Sequence, residues 1–132
     1  MEEIPEEYEE LFGRKTFAHV ATLMEDGTPQ VTPVWVDYDG EHVLINTLRG
    51  RQKERNLTRN PKVGLSLLDP EDPYTYLSIR GEVAEVTTEG AVEHIDALAR
   101  RYMDVEEYPY HDGEDAERVI VKIRPDRVVA GQ

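Results

Sequence analysis

Between Phe17 and Thr47 three apolar runs follow one another with almost no chain between them, which restricts the fold more than any other feature of the sequence. FAHVATLM (17–24) and QVTPVWVDY (30–38) are joined by EDGTP, whose Asp-Gly pair is a hairpin signal, and Asp39-Gly40 leads into EHVLINT (41–47). Connections this short join antiparallel neighbours, because a parallel crossover needs a dozen or more residues. The segment therefore predicts an antiparallel meander.

Upstream, Pro5 to Phe12 reads as a short acidic helix with Tyr8, Leu11 and Phe12 on one face. Downstream, the spacing turns helical over Gly50–Asn60, with Arg51, Arg55 and Arg59 on one face and Lys53 and Leu57 elsewhere, until Asn60-Pro61 stops it. KVGLSLLD (62–69) resumes as a strand, and YTYLSIRGEVAEV (74–86) is a longer one whose Gly81 marks a bulge or bend. A helix capped by Thr87 or Thr88 follows, with Val92, Ile95, Leu98, Ala99 and Tyr102 at helical spacing through Met103. After the polar loop VEEYPYHDGED, ERVIVKIRPDRVV (117–129) is the final strand. The whole chain, residues 1–132, reads as one domain: six strands, one crossover helix and one late helix in a small, mostly antiparallel β-barrel.

The crossover helix carries the clearest chemical signal. From Arg49 to Lys62 the sequence RGRQKERNLTRNPK holds six of the chain's fifteen Lys and Arg residues and one acid, Glu54, in a protein of net charge −13. A phosphate monoester presents close to two charges and three acceptor oxygens. Arg meets it with a planar fork, Lys with a mobile point charge, and a helix start with backbone N–H groups. Asn46, Thr47, Gly50, Arg51 and Lys53 supply neutral donors, a flexible turn and cations in that order. A charged run of this kind is also read as a solvated helix face. The local reversal of charge and the Thr-Gly-Arg-Lys order favour an anion corner.

Composition narrows the alternatives. The net charge argues against nucleic acid as the main partner, since polyphosphate binding needs a broad positive surface. No stretch approaches the ~20 apolar residues of a membrane span, and the acidic start MEEIPEEYEELF is unlike a signal peptide. With no cysteine, disulfides and thiolate chemistry are excluded, and a cytoplasmic location is expected. The acidity is also compatible with a high-salt cytoplasm. His19, His42, His94 and His111 are scattered without zinc spacing, so no metal site is expected. Ser66 and Ser78 lack nucleophile-elbow glycines. Trp35 reads as core more readily than as a stacking platform, and the tyrosines near 105–115 read as a substrate entrance or as ordinary packing. No catalytic acid or base is assigned.

The order of these parts resembles a known family. Thr32-Pro33-Val34-Trp35, Asn46-Thr47, Arg51-Gln52-Lys53 and Asn60-Pro61, then YLSIRGEVAEVTTEGAVEHIDALARRYM and IRPDRVVAG, are similar to the pyridoxamine 5′-phosphate oxidase-like flavin and deazaflavin proteins over about residues 8 to 130. The resemblance implies a six-stranded antiparallel split β-barrel of the FMN-binding type with two to three helices, forming a homodimer with cofactor sites at its interface. By position, Thr47, Arg51 and Lys53 would contact the cofactor phosphate, and Thr32, Pro33 and Val34 would lie along the tricyclic ring. Members of this length with TPVW and GRxK most resemble the branch using the deazaflavin F420, while close relatives use FMN. The activity implied is hydride transfer between that cofactor and a small organic substrate, with a non-catalytic cofactor carrier as the alternative. Pyridoxamine phosphate oxidases proper carry a further C-terminal substrate-binding segment with no counterpart here, so that particular oxidation is not expected.

Overall fold

The run 30–38, expected as one strand, is two. In the computed structural model, which describes residues 1–131, β1 (Phe17–Leu23) pairs with β2 (Pro29–Trp35), and the chain then leaves this ladder at Val36 to form β3 (Asp37–Tyr38). Val36 is fully buried, and its N–H donates to the Tyr102 hydroxyl (3.2 Å), which itself donates to the Thr16 carbonyl. A side chain from a distant helix thus takes up the backbone groups at the break, and the count becomes seven strands rather than six.

The remaining elements are β4 (Val43–Leu48), α1 (Gln52–Arg59), β5 (Lys62–Asp69), β6 (Asp72–Thr87), α2 (Ala91–Met103) and β7 (Arg118–Gly131). All strand pairs are antiparallel, in the order β2-β1-β5-β6-β7-β4-β3. The two edge strands are therefore joined through Val36, and the sheet curls until its edges lie side by side as a split barrel. Inside, Val20, Ile45, Leu67, Leu77, Ile79, Val121 and Ile123 pack as alternate residues of their strands. Leu11 and Phe12, on an N-terminal 3₁₀ helix (Glu6–Gly13), join the same core.

Gly81 does mark a bulge. The β6–β7 register shifts between Arg80 and Gly81, and a Cβ at 81 would overlap the Arg124 carbonyl oxygen. The start of α2 differs from expectation. Gly90, at φ 73°, caps it, while the Thr87 hydroxyl accepts from the Glu89 N–H (3.0 Å). Ile95, Leu98, Ala99 and Tyr102 face inward as their spacing predicts, but Val92 is exposed. Below α1, Leu57 and the fully buried Asn56 face the sheet, and Asn56 donates to the Thr22 hydroxyl of β1 (3.0 Å). Among the described residues no helix is long and apolar enough to cross a membrane.

Candidate functional site

β4 ends against the start of α1, and the residues between them form a tight turn around a buried carboxylate. Gly50 takes φ 95°, and its N–H donates to Glu54 Oε1 (2.6 Å), while the Thr58 hydroxyl donates to Glu54 Oε2 (2.7 Å). Burial alone would push the Glu54 carboxyl up, but these two bonds, with the nearby Arg49 and Arg55, together outweigh it and hold the group below its ordinary value. Glu54 is thus a charged anchor for the turn that leads to Arg51 and Lys53.

The six bases of the island divide by what they touch. Arg49 pairs with Glu117 (3.4 Å). Arg55 donates to the Gly50 carbonyl and to Gln52, and Arg59 to the Leu23 carbonyl and Asn56. Among the described residues the Arg51, Lys53 and Lys62 side chains have no hydrogen-bonded or ionic partner, and of these three Arg51 and Lys53 line a cleft of about 300 Å³. Lys53 is half-buried, and burial together with the adjacent Arg51 holds its ammonium below the ordinary lysine value. Beside them stands Thr47, 1% exposed, whose hydroxyl has no partner. One cleft is thus lined by two cations without a protein partner and by a threonine whose buried hydroxyl has none, a donor set that fits a phosphate.

The rest of the cleft is mostly apolar. Pro33, Val34 and Trp35 of β2 form one side, Ile95 and Leu98 of α2 another, and Tyr108 and Tyr110 the mouth. Of the expected site residues, Pro33, Val34, Asn46, Thr47, Arg51 and Lys53 come together here, while Thr32, farther along β2, lies outside the lining. Trp35 packs against aromatic neighbours at the edge of the cleft. It stacks on Tyr102 (5.1 Å between centroids, 7° between planes), meets Tyr108 edge-on, and still borders the cleft.

Arg118 was not anticipated from sequence. It opens β7, and the β4–β7 pairing that sets Leu48 opposite Arg118 brings it into the cleft wall. Buried at 6% exposure, it pairs with Glu114, donates to the Tyr108 hydroxyl (3.0 Å) and to Asn46 Oδ1 (3.3 Å), and lies over the Tyr108 ring. Asn46 in turn spends its amide nitrogen on the Ala91 carbonyl (2.9 Å) and His94 Nδ1 (3.1 Å). An arginine beside the acids Glu114, Asp115 and Glu117, just before an apolar strand, was the one available sequence signal. Among the described residues no three His, Asp or Glu side chains group as metal ligands.

The family model for pyridoxamine 5′-phosphate oxidase matches residues 4–130. A solved structure named F420 reductase is 38% identical, with a TM-score of 0.83 over 96% of this chain and 98% of its own. A conserved hypothetical protein from Mycobacterium tuberculosis is 27% identical, with a TM-score of 0.74 over 98% of this chain and 85% of its own. HupZ from Group A Streptococcus, at 22% identity and a TM-score of 0.69 over 96% of this chain and 93% of its own, shares the fold.

Proposed function

The chain belongs to the pyridoxamine 5′-phosphate oxidase family, and from that premise we propose that it is an oxidoreductase holding F420 in the cleft, with FMN as the alternative cofactor. The observation that carries this reading is that Thr47, with its unpartnered hydroxyl, and the unpaired Arg51 and Lys53 line one cleft together with Pro33, Val34 and Trp35. The 38% identity to an F420 reductase favours the deazaflavin over the flavin.

In this reading Thr47, Arg51 and Lys53 hold the cofactor phosphate, and the tricyclic ring lies along Pro33 and Val34 toward Trp35 and Tyr108. When bound, the cofactor supplies a hydride donor or acceptor for a small conjugated substrate. The protein's own part is to fix the ring by its phosphate, to exclude water with Ile95, Leu98 and the aromatic mouth, and to leave one ring face open to substrate. The same reading makes the protein a homodimer. Phe17, which borders the cleft while 49% exposed, supports a second copy closing that side.

The test is direct titration of FMN and F420 into the wild type and into Arg51→Ala and Lys53→Ala. Each charged hydrogen bond contributes roughly 1.5–3 kcal/mol, so each substitution weakens binding by at least about tenfold. Wild-type protein that binds neither cofactor refutes the proposal. Tight binding without turnover of enones or quinones instead identifies a carrier.

A further inference from the structure

Arg118 has one hydrogen-bond donor left over. A guanidinium carries five N–H groups. Here Nε–H goes to Glu114 Oε1 (3.2 Å), the two on one terminal nitrogen go to Glu114 Oε2 and the Tyr108 hydroxyl, and one on the other goes to Asn46 Oδ1 (3.3 Å). The fifth has no protein partner among the described residues, although the side chain is 5% exposed and borders the cleft. A buried donor left unmade is costly, so this N–H calls for an acceptor in the cleft. That acceptor is uncharged, because Glu114 already balances the guanidinium, unlike the bare cations Arg51 and Lys53.

What aims the spare N–H can be followed atom by atom. Arg118 only donates and the Ala91 carbonyl only accepts, so Asn46 must turn Oδ1 to the first and Nδ2 to the second. Its second amide proton then goes to His94 Nδ1, which obliges the imidazole to donate from Nε2 to Asp37 Oδ2 (3.1 Å). Arg101 secures the far end by donating to Asp37 Oδ1 (3.0 Å). Burial pushes the Asp37 carboxyl up, but the bonds from His94 and Arg101 prevail and hold it below its ordinary value, so the chain ends on a charged acceptor. Both Asn46 donors are thereby used within the protein and neither is free for an anion.

We infer that Arg118 binds a carbonyl oxygen of the tricyclic ring through its unspent N–H, and that Asn46, tied to His94, is the positioning residue that aims it. This rests on the cofactor cleft proposed above but not on the phosphate corner. The experiment therefore pairs ligands that share a ring and differ in phosphate: FMN with riboflavin, and F420 with its phosphate-free deazaflavin chromophore. Arg118→Lys keeps the pairing with Glu114 and loses the fork, so it is expected to weaken both members of the binding pair by roughly tenfold and to shift the absorbance of the bound ring. Asn46→Leu is expected to reproduce that loss, and to add little on the Arg118→Lys background because the two act as one unit. Thermal melts of the ligand-free variants identify any that fail to fold, in which case Arg118→Gln takes the place of Arg118→Lys. Unchanged ring affinity and absorbance in the Arg118 variant overturn the inference even if Arg51→Ala still weakens FMN, and so does a wild type that binds none of the four ligands. A ring-dependent loss in Arg118→Lys, with no effect of Arg51→Ala on FMN, upholds it while removing the phosphate corner.

Discussion

Replacing Thr47 by Val should move stability and ligand affinity in opposite directions. Thr47 is 1% exposed, its hydroxyl has no partner, and it sits opposite Val119 in the β4–β7 ladder. Valine matches its shape and its preference for strands, so the exchange removes little but the hydroxyl. An unsatisfied buried polar group costs about 1–3 kcal/mol. At roughly 3–6 °C per kcal/mol for a chain of this length, the ligand-free variant should melt at least about 3 °C higher. A phosphate in the corner gives that hydroxyl its partner, and losing a hydrogen bond to a charged group costs roughly 1.5–3 kcal/mol, or about tenfold to a hundredfold in Kd. Thermal denaturation of the ligand-free protein and calorimetric titration with FMN and F420 measure the two effects separately. A lower melting temperature means the hydroxyl is satisfied within the fold. An unchanged Kd means it does not meet the ligand. Either result refutes the reasoning.

Three further expectations follow from the geometry. The Lys53 ammonium is held below the ordinary lysine value of 10.5, and a bound anion favours its charged form. Affinity is therefore full below the free-protein value and is lost as pH rises through it, with proton uptake on binding there. Lys53→Arg, charged throughout, should flatten that profile in titrations run from neutral pH toward 10.5. Gly81→Ala forces a methyl group onto the Arg124 carbonyl and should lower stability by about 2–3 kcal/mol or more; a melting curve like that of the wild type would show that the bulge does not require glycine. Tyr102→Phe strips partners from the Val36 N–H and the Thr16 carbonyl and should cost about 1–3 kcal/mol in urea denaturation with little change in cofactor affinity, whereas an equal loss of affinity would tie the seam to the site.

What could be read from the sequence was what neighbours in the chain decide. Asp-Gly turns and apolar runs placed most of the strands, and Gly81 was recognised because a lone glycine in a strand has few other uses. The proposed corner could be suggested from sequence because Thr47, Gly50, Arg51 and Lys53 lie within seven residues, around one turn. The break at Val36 was not, because no turn residue marks it; the Tyr102 hydroxyl, carried there by α2, takes up its N–H. Arg118 was missed for the same reason, since only the pairing of β4 with β7 brings it beside Asn46. Nor could local sequence separate the island's bases. Which of the six face a neighbour and which face an empty corner depends on Glu117, Leu23 and Asn56, set by the packing of α1 on the sheet.

A phosphate-bearing ligand must approach a molecule of net charge −13 before it reaches the two bare cations. Within about a Debye length of the surface the net negative charge of the chain repels it, and only in the last few ångströms would Arg51 and Lys53 prevail. Added salt therefore acts on the two halves of the encounter with opposite sign: it screens the repulsion and speeds association, and it weakens the final contact and speeds release. For such a pocket, residence time is set by the corner and arrival rate by everything around it.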